Sequence, residues 1–416
     1  MKIVYVSPSV GMSGGVAVIF QHANRLRRRG HDVFVAVENK REVDWFPGLQ
    51  APVISLNEYP NDVDVLVATG WQTSYGVVDL PARKKFYFVQ SDETRFHPEG
   101  QLRDLTALSY RLDFNYLTEA RWIQKWLLEN FGHEAELIPN GLEPELFHAT
   151  EPLEPKGTKP RILLEGTIAL PSKGMADAFA AVADLDAEVW CVSTYGKPQP
   201  GWRCDRFFER VPMIEMKRIY SSCDVLLKLS RVEGFFGPPM EMMACGGVVV
   251  AGKVSGYDEY IVDGYNALTV DLGDIAAARD AVAKVISDDA LRSKLIANGF
   301  ETAKQWQWEP SIDRLERYYQ DVLAGRRGKT DSAVKQSADR AISQAQRSLS
   351  LNQNPQALAA QLAEKDALLA SIYASTAWRL IQSLWRIRMA LMPHGSRRER
   401  LWLRIKDRVQ KFLSQN

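Results

Sequence analysis

Over its first 330 residues the chain alternates short β-branched or aliphatic runs with segments whose apolar positions recur at helical spacing. That alternation is the signature of βα units on a parallel sheet. The runs Lys2–Pro8, Asp32–Val37, Asp64–Ala68, Lys85–Val89, Phe114–Leu117 and Glu136–Ile138 are the predicted strands of a first series. A second series takes in Ile162–Glu165, Glu188–Ser193, Val225–Leu229, Val248–Ala251 and Leu268–Val270. Between them, residues 151–160 hold three prolines, a glycine and four charges, which read as a linker. The pattern predicts an α/β protein of two Rossmann-like parallel-sheet domains facing a cleft, over 1–155 and 156–328, with a C-terminal helical extension over 329–416.

Composition agrees with such a body. Of 416 residues, 46% are hydrophobic and 25% charged, which excludes a disordered or collagen-like chain. Four cysteines without a CxxC pair argue against a structural zinc site and suit a reducing cytosol. The chain enters a strand at Lys2 without the apolar stretch of a signal peptide, and no uncharged apolar segment of spanning length occurs, so no transmembrane helix is expected. Charge changes the picture. Residues 331–416 carry 14 Lys/Arg against 6 Asp/Glu, leaving 38 basic and 45 acidic residues in the first 330. An acidic body with a basic tail points to an anionic surface as the tail's partner.

Three loops carry candidate chemistry. Ser7-Pro8-Ser9-Val10-Gly11-Met12-Ser13-Gly14-Gly15 feeds a helix with Val16, Phe20, Ala23 and Leu26 on one face, ended by Arg27-Arg28-Arg29-Gly30. A glycine-rich turn at a helix start is an anion site, although it also serves as an ordinary tight turn. It matches neither the GxGxxG dinucleotide fingerprint nor the P-loop. After the second domain's first strand, Lys173 before Gly174 is placed to reach a phosphate, or is a solvated surface lysine. After Val225–Leu229, the string Ser230–Gly247 sets Glu233 in a loop at a strand's carboxyl end and Glu241 in the opening turn of a helix begun by Pro238-Pro239. Free helix-start amides favour an anion, and a carboxylate accepts two hydrogen bonds from a vicinal diol. Together they describe a nucleotide-sugar.

The string from Glu233 to Glu241 resembles the signature of retaining glycosyltransferases of family 4, which have the two-domain GT-B fold. Other stretches are similar to the family in the same order: Gly14-Gly15, Arg29-Gly30-His31-Asp32-Val33, Ile138–Glu143 with Phe147, Lys173-Gly174, Tyr220–Val225 and Gly256–Ala267. The resemblance covers residues 1 to about 325, ending at a helix (Ser311–Leu323) that in the family returns towards the N-terminal domain. It implies an N-terminal acceptor domain and a C-terminal donor domain. Glu241 would grip the ribose diol and Glu233 would face the transferred sugar. Amides of Phe235, Phe236 and Gly237 would line sugar and phosphate, and Lys173 with the Gly14 and Gly15 amides would neutralise the diphosphate. No cofactor and no metal are implied, and the six histidines form no ligand cluster and are expected at the surface or in ordinary hydrogen bonds.

Two departures stand out. Thr167 occupies the place of the family's usual arginine six residues before the lysine, with Arg231 a candidate replacement on the donor side. Tyr87–Pro98 is similar to a Gln-Asp-x-Glu variant of a bacterial polysaccharide branch, which makes Asp92 and Glu93 candidates for positioning the acceptor hydroxyl; a solvated acidic loop is the equal alternative. Val211 and Met213 are candidate contacts for the base.

The function these features imply is transfer of a hexose or deoxyhexose from a nucleotide-sugar to a growing, lipid-linked glycan, as in lipopolysaccharide or capsule assembly. Retention implies a same-face displacement in which a leaving-group oxygen takes the acceptor's proton. Rivals are a catalytically idle GT-B scaffold or glycan-binding subunit, which Thr167 keeps open, and a nucleotide-sugar 2-epimerase. In the tail, Ser375-Thr376-Ala377-Trp378-Arg379 resembles a string that ends polysaccharide-assembly glycosyltransferases. Trp402, Ile405, Val409, Phe412 and Leu413 fall on one face of the last predicted helix, opposite Arg397, Arg400, Arg404, Arg408 and Lys411. Such a helix suits an anionic membrane interface, or packs on the body or on a subunit of a homo-oligomer or assembly complex. The expected location is cytoplasmic, peripheral on the inner face of the cell membrane. Nucleic acid is not an expected partner.

Overall fold

The computed structural model describes residues 1–352. In the first domain the elements run β1 (Lys2–Val6), α1 (Gly14–Arg28), β2 (Asp32–Val37), β3 (Val53–Ser55), β4 (Val65–Ala68), α2 (Trp71–Gly76), β5 (Lys84–Val89), α3 (Gln101–Ser109), β6 (Asn115–Thr118), α4 (Arg121–Phe131) and β7 (Ala135–Leu137). The strands form one parallel sheet in the order β3-β2-β1-β4-β5-β6-β7. A sheet covered on both faces needs strands that are apolar throughout, and alternate side chains serve the two faces. Ile3, Tyr5, Val65, Val67, Phe86 and Phe88 pack beneath α1, while Val4, Val6, Leu66, Tyr87 and Val89 face α4.

The second domain runs β8 (Arg161–Glu165), α5 (Met175–Val182), β9 (Glu188–Ser193), β10 (Arg206–Glu209), α6 (Met213–Ser222), β11 (Val225–Lys228), α7 (Gly237–Ala244), β12 (Val248–Gly252), β13 (Leu268–Val270), α8 (Ile275–Ser287) and α9 (Asp289–Gln305). Its six strands are parallel in the order β10-β9-β8-β11-β12-β13. The architecture matches the sequence expectation, apart from two strands. β3 and β10 were not expected, and both lie at a sheet edge. β3 has three residues, and β10 is half-exposed with a charge at each end, so neither leaves a buried-strand signal.

The chain then returns. In α10 (Trp308–Leu323), Trp308, Ile312, Leu315, Tyr318, Tyr319 and Val322 join the first domain's core. The Tyr319 and Tyr5 hydroxyls bond at 3.0 Å, and Arg29 pairs with Glu309, Asp313 and Glu316. The two crossings between domains touch, with the Leu142 amide donating to the Trp306 carbonyl at 2.8 Å. In α11 (Asp331–Asn352), Val334, Ala338 and Ala341 are buried against the sheet's other face. Lys85, itself buried, lies 2.8 Å from Asp331. The extension thus begins inside the first domain's core.

Among the described residues no helix is long and apolar enough to cross a membrane. All four cysteines are free. The Ser375–Arg379 string and the amphipathic basic segment 371–416, with its membrane and subunit partners, lie outside the described residues. One histidine departs from expectation. His22 is wholly buried, stacks on Phe88 at 5.1 Å between centroids, and has no hydrogen-bond partner on either ring nitrogen. Burial, helped by nearby Arg25, pushes its pKa down to about 3, so it packs as a neutral aromatic.

Candidate active site

The carboxyl ends of both sheets border one cleft of about 640 Å³. On the first domain's side α1 begins at Gly14, with the Ser13 hydroxyl accepting the Val16 amide at 3.3 Å. Gly14 and Gly15 line the cleft as expected. At Gly15 a Cβ would stand 3.0 Å from Gln90 Oε1, a buried oxygen without a hydrogen-bond partner.

Opposite, Lys173 ends a single turn, Pro171–Lys173, closed by Gly174 in the left-handed region (φ 63°). Any side chain at Gly174 would strike the Leu229 carbonyl, so glycine is required to aim the lysine into the cleft. Lys173 Nζ lies 2.9 and 3.0 Å from the two oxygens of Glu233. Burial works against the Glu233 charge, yet Lys173 and Lys228 hold its carboxyl below the usual range.

Glu241 also lines the cleft, one residue further into its helix than expected. α7 starts at Gly237, ahead of the prolines, so its first turn holds no acid and Glu241 comes in the second. Its Oε2 accepts the Tyr220 hydroxyl at 2.8 Å, and burial pushes its pKa up to about 7. Of the three loop amides, two are already committed. The Phe235 amide donates to Glu119 Oε1 at 2.9 Å and the Gly237 amide to the Phe235 carbonyl at 3.0 Å. Only the Phe236 amide has no partner among the described residues, and the Phe236 ring is buried in the core.

Other expected residues stand apart. Arg231 does not line the cleft; its side chain is 55% exposed and pairs outward with Asp177, in the first turn of α5, at 2.6 Å. Thr167 does line it, bonding Thr194 hydroxyl to hydroxyl at 2.6 Å. Asp92 is a cap, accepting the Thr94 amide at 3.1 Å, and stays outside the cleft lining. Glu93 lines the cleft, accepts the Trp71 amide at 2.8 Å, and is pushed up to about 7 by burial. Val211 and Met213 belong to its apolar wall, with Met216 and Leu142.

Sequence reasoning missed four residues. Lys228 closes β11 with a side chain only 2% exposed, bonding the Glu165 carbonyl at 3.0 Å and Glu165 Oε2 at 2.5 Å. Its one signal was a charge inside the otherwise aliphatic run Val225–Leu229. Glu119, buried just after β6, accepts the Asn140 side-chain amide at 2.9 Å, and burial pushes its pKa up to about 8. Trp122 Nε1 donates to the Gly234 carbonyl at 2.9 Å. Glu259 accepts the Arg121 amide at 2.6 Å at the start of α4 and pairs with the Arg121 guanidinium at 3.0 Å. With the Glu119–Phe235 bond, these contacts join the two domains beside the Glu233 loop. No local pattern announces a contact between residues more than a hundred positions apart.

Comparison with known proteins places this geometry. Residues 206–302 match the family model described as Glycosyl transferases group 1. The chain is 28% identical over 331 residues to the O-antigen biosynthesis protein RfbC of Myxococcus xanthus, covering 72% of this chain but 25% of that protein's length. Among solved structures it resembles the sucrose-phosphate synthase of Thermosynechococcus elongatus, with a TM-score of 0.64 and 15% identity over 78% of this chain and 99% of the other. Anabaena Alr3699/HepE in complex with UDP-glucose superposes with a TM-score of 0.63 and 16% identity, over 78% of this chain and all of the other. The family match is thus confined to residues 206–302, and the chain as a whole has the GT-B fold.

Proposed function

We propose that the chain is a retaining glycosyltransferase that moves a hexose or deoxyhexose from a nucleoside-diphosphate sugar to a growing, lipid-linked glycan. The observation that carries this reading is the cleft itself, where Lys173 from its single turn, Glu233 from the loop after β11 and Glu241 from α7 converge opposite the Gly14–Gly15 helix start of the first domain. The HepE structure contains UDP-glucose, and RfbC is named for O-antigen biosynthesis, which supports a nucleotide-sugar donor and a polysaccharide product.

In this reading Glu241 accepts the ribose diol, and the apolar wall of Val211, Met213 and Met216 holds the base. The diphosphate lies between Lys173 and the α1 helix start, where fixed cations and amides take the part a divalent ion plays elsewhere. The acceptor hydroxyl enters from the first domain's side, past Glu93, and attacks on the face from which the diphosphate departs. A leaving-group oxygen takes its proton. The protein's contribution is positioning and stabilisation of the leaving charge.

The test is release of nucleoside diphosphate from a panel of nucleotide-sugars, with the native chain beside Glu241→Ala. Release from one donor, abolished by the substitution, is expected. If no donor is turned over and no nucleotide raises the melting temperature, the idle-scaffold reading replaces this one. The basic segment 371–416 is proposed to hold the protein on an anionic membrane surface. Because Val334, Ala338 and Ala341 of α11 belong to the first domain's core, the deletion that tests this starts after Asn352, and unchanged binding to vesicles with anionic lipid defeats it.

A further inference from the structure

Among the described residues lining the cleft, Lys173 and Lys228 are the only cations, against carboxyls at Glu93, Glu119, Glu143, Glu165, Glu233 and Glu241. Glu143 is paired with Arg25 at 2.7 Å, and Glu93, Glu119 and Glu241 are shifted by burial towards their neutral forms. Beside the partly ionised Glu93 and Glu241, the full charges that remain form two ion pairs, Lys173 with Glu233 and Lys228 with Glu165. A nucleoside diphosphate brings two or more negative charges. Lys173 alone leaves it half-neutralised in a site with acidic walls.

Lys228 is built to supply the other half. The β8–β11 register pairs Leu227 with Leu164, so the next step sets Lys228 beside Glu165, where both strands open onto the cleft. Packing does not ask for a lysine here. The preceding positions, Val225, Leu226 and Leu227, are aliphatic, and a buried ion pair is commonly no more stable than apolar residues of similar size. Burial disfavours the ammonium, and Glu165, Glu233 and Glu241 together more than offset it, keeping the lysine charged. A charged donor stored at a cleft wall beside a carboxylate can exchange that partner for a phosphate oxygen at little net cost in hydrogen bonds.

We propose that Lys228 is the second phosphate-binding cation of the site, acting with Lys173 on the diphosphate of the donor, and that Glu165 is the counter-ion that holds it until the phosphate replaces it. This rests on the nucleotide-sugar reading above. In this chain, therefore, the strand end at 228 does the work that Thr167, two residues beyond Glu165, has no charge to do.

The test is calorimetric titration of UDP, GDP, ADP and dTDP, and of the matching nucleosides. The proteins are the native chain, the paired Lys228→Met/Glu165→Gln variant, which removes the cation and its counter-ion together, and the same variant with Thr167→Arg. The native chain is expected to bind one diphosphate. The paired variant, once its circular dichroism and melting show it folded, should bind that diphosphate about thirty-fold more weakly, with the nucleoside within about twofold. Thr167→Arg should recover about tenfold of the loss by restoring a charged donor. Unchanged diphosphate affinity in the folded pair variant, or an equal loss for nucleoside, overturns the role of Lys228 and leaves the nucleotide reading standing. A native chain that binds no diphosphate overturns both. If the pair variant does not fold, Lys228→Arg serves: affinity within about fivefold of native is expected, and a thirty-fold loss with charge retained defeats the proposal.

Discussion

Lys173 grips both carboxylate oxygens of Glu233, at 2.9 and 3.0 Å, so the two side chains neutralise each other across the cleft wall. If Lys173 stabilises the departing diphosphate, Lys173→Ala should lower turnover by about two to three orders of magnitude, the loss typical of one preorganised donor. Glu233→Gln should release the lysine. Diphosphate affinity then rises while turnover falls, and titration beside steady-state kinetics checks the split.

Glu241, with a pKa near 7, changes charge within the working range. If Glu241 grips the ribose diol, its ionised form accepts both hydroxyls, and that fraction grows from pH 6 to pH 8. Binding of the bare nucleoside, which has no phosphate to titrate, should therefore tighten over that interval. In Glu241→Gln it should be weaker and flat with pH, as read by calorimetry at several pH values.

Glu119 is held neutral by burial, with a folded pKa near 8 against an ordinary value of 4.5. Its contribution to stability is full below the ordinary value and is lost as pH rises through about 8, because the folded state holds a proton that the unfolded state releases. The melting temperature should fall between pH 6 and pH 9, and Glu119→Gln should flatten that fall. Glutamine keeps an acceptor for the Phe235 amide, so the fold should survive the exchange.

Glu259 caps α4 from the opposite domain and pairs with Arg121. Glu259→Ala should cost about 1 kcal/mol, the usual value of a helix cap. It should also loosen the domains, seen as a larger radius of gyration in solution scattering. An unchanged radius would show that the Trp122–Gly234 and Glu119–Phe235 bonds suffice.

Much of this was legible in the sequence because it is written locally. Eleven of the strands announce themselves as apolar runs, and Gly174 and Pro238 punctuate the loops that present Lys173 and Glu241. The unread parts are relational. Arg231 lies two residues before Glu233 along the chain but turns to Asp177, because a loop residue's direction is set by what its neighbours offer. Asp92 next to Glu93 serves its own turn. Lys228 is one charge within the run Val225–Leu229 until the strands around it are assembled, and Glu119 and Trp122 have meaning only once Gly234 and Phe235 are set against them. Gly234 itself is required because any side chain there would collide with the Gln90 carbonyl across the domain boundary.

The return of α10 and α11 to the first domain has a consequence for the chain as it leaves the ribosome. The strands of the first sheet are complete by Leu137, but Trp308 to Val322 and Val334 to Ala341, which complete the cover of its two faces, emerge only after the whole second domain. The domain made first is therefore closed last. Until then α1 and α4 cover only part of each face, and the rest is exposed aliphatic surface at the stage when such surface is most prone to stray association. The second domain, by contrast, has all its strands and helices in one unbroken stretch and can fold as soon as α9 is out.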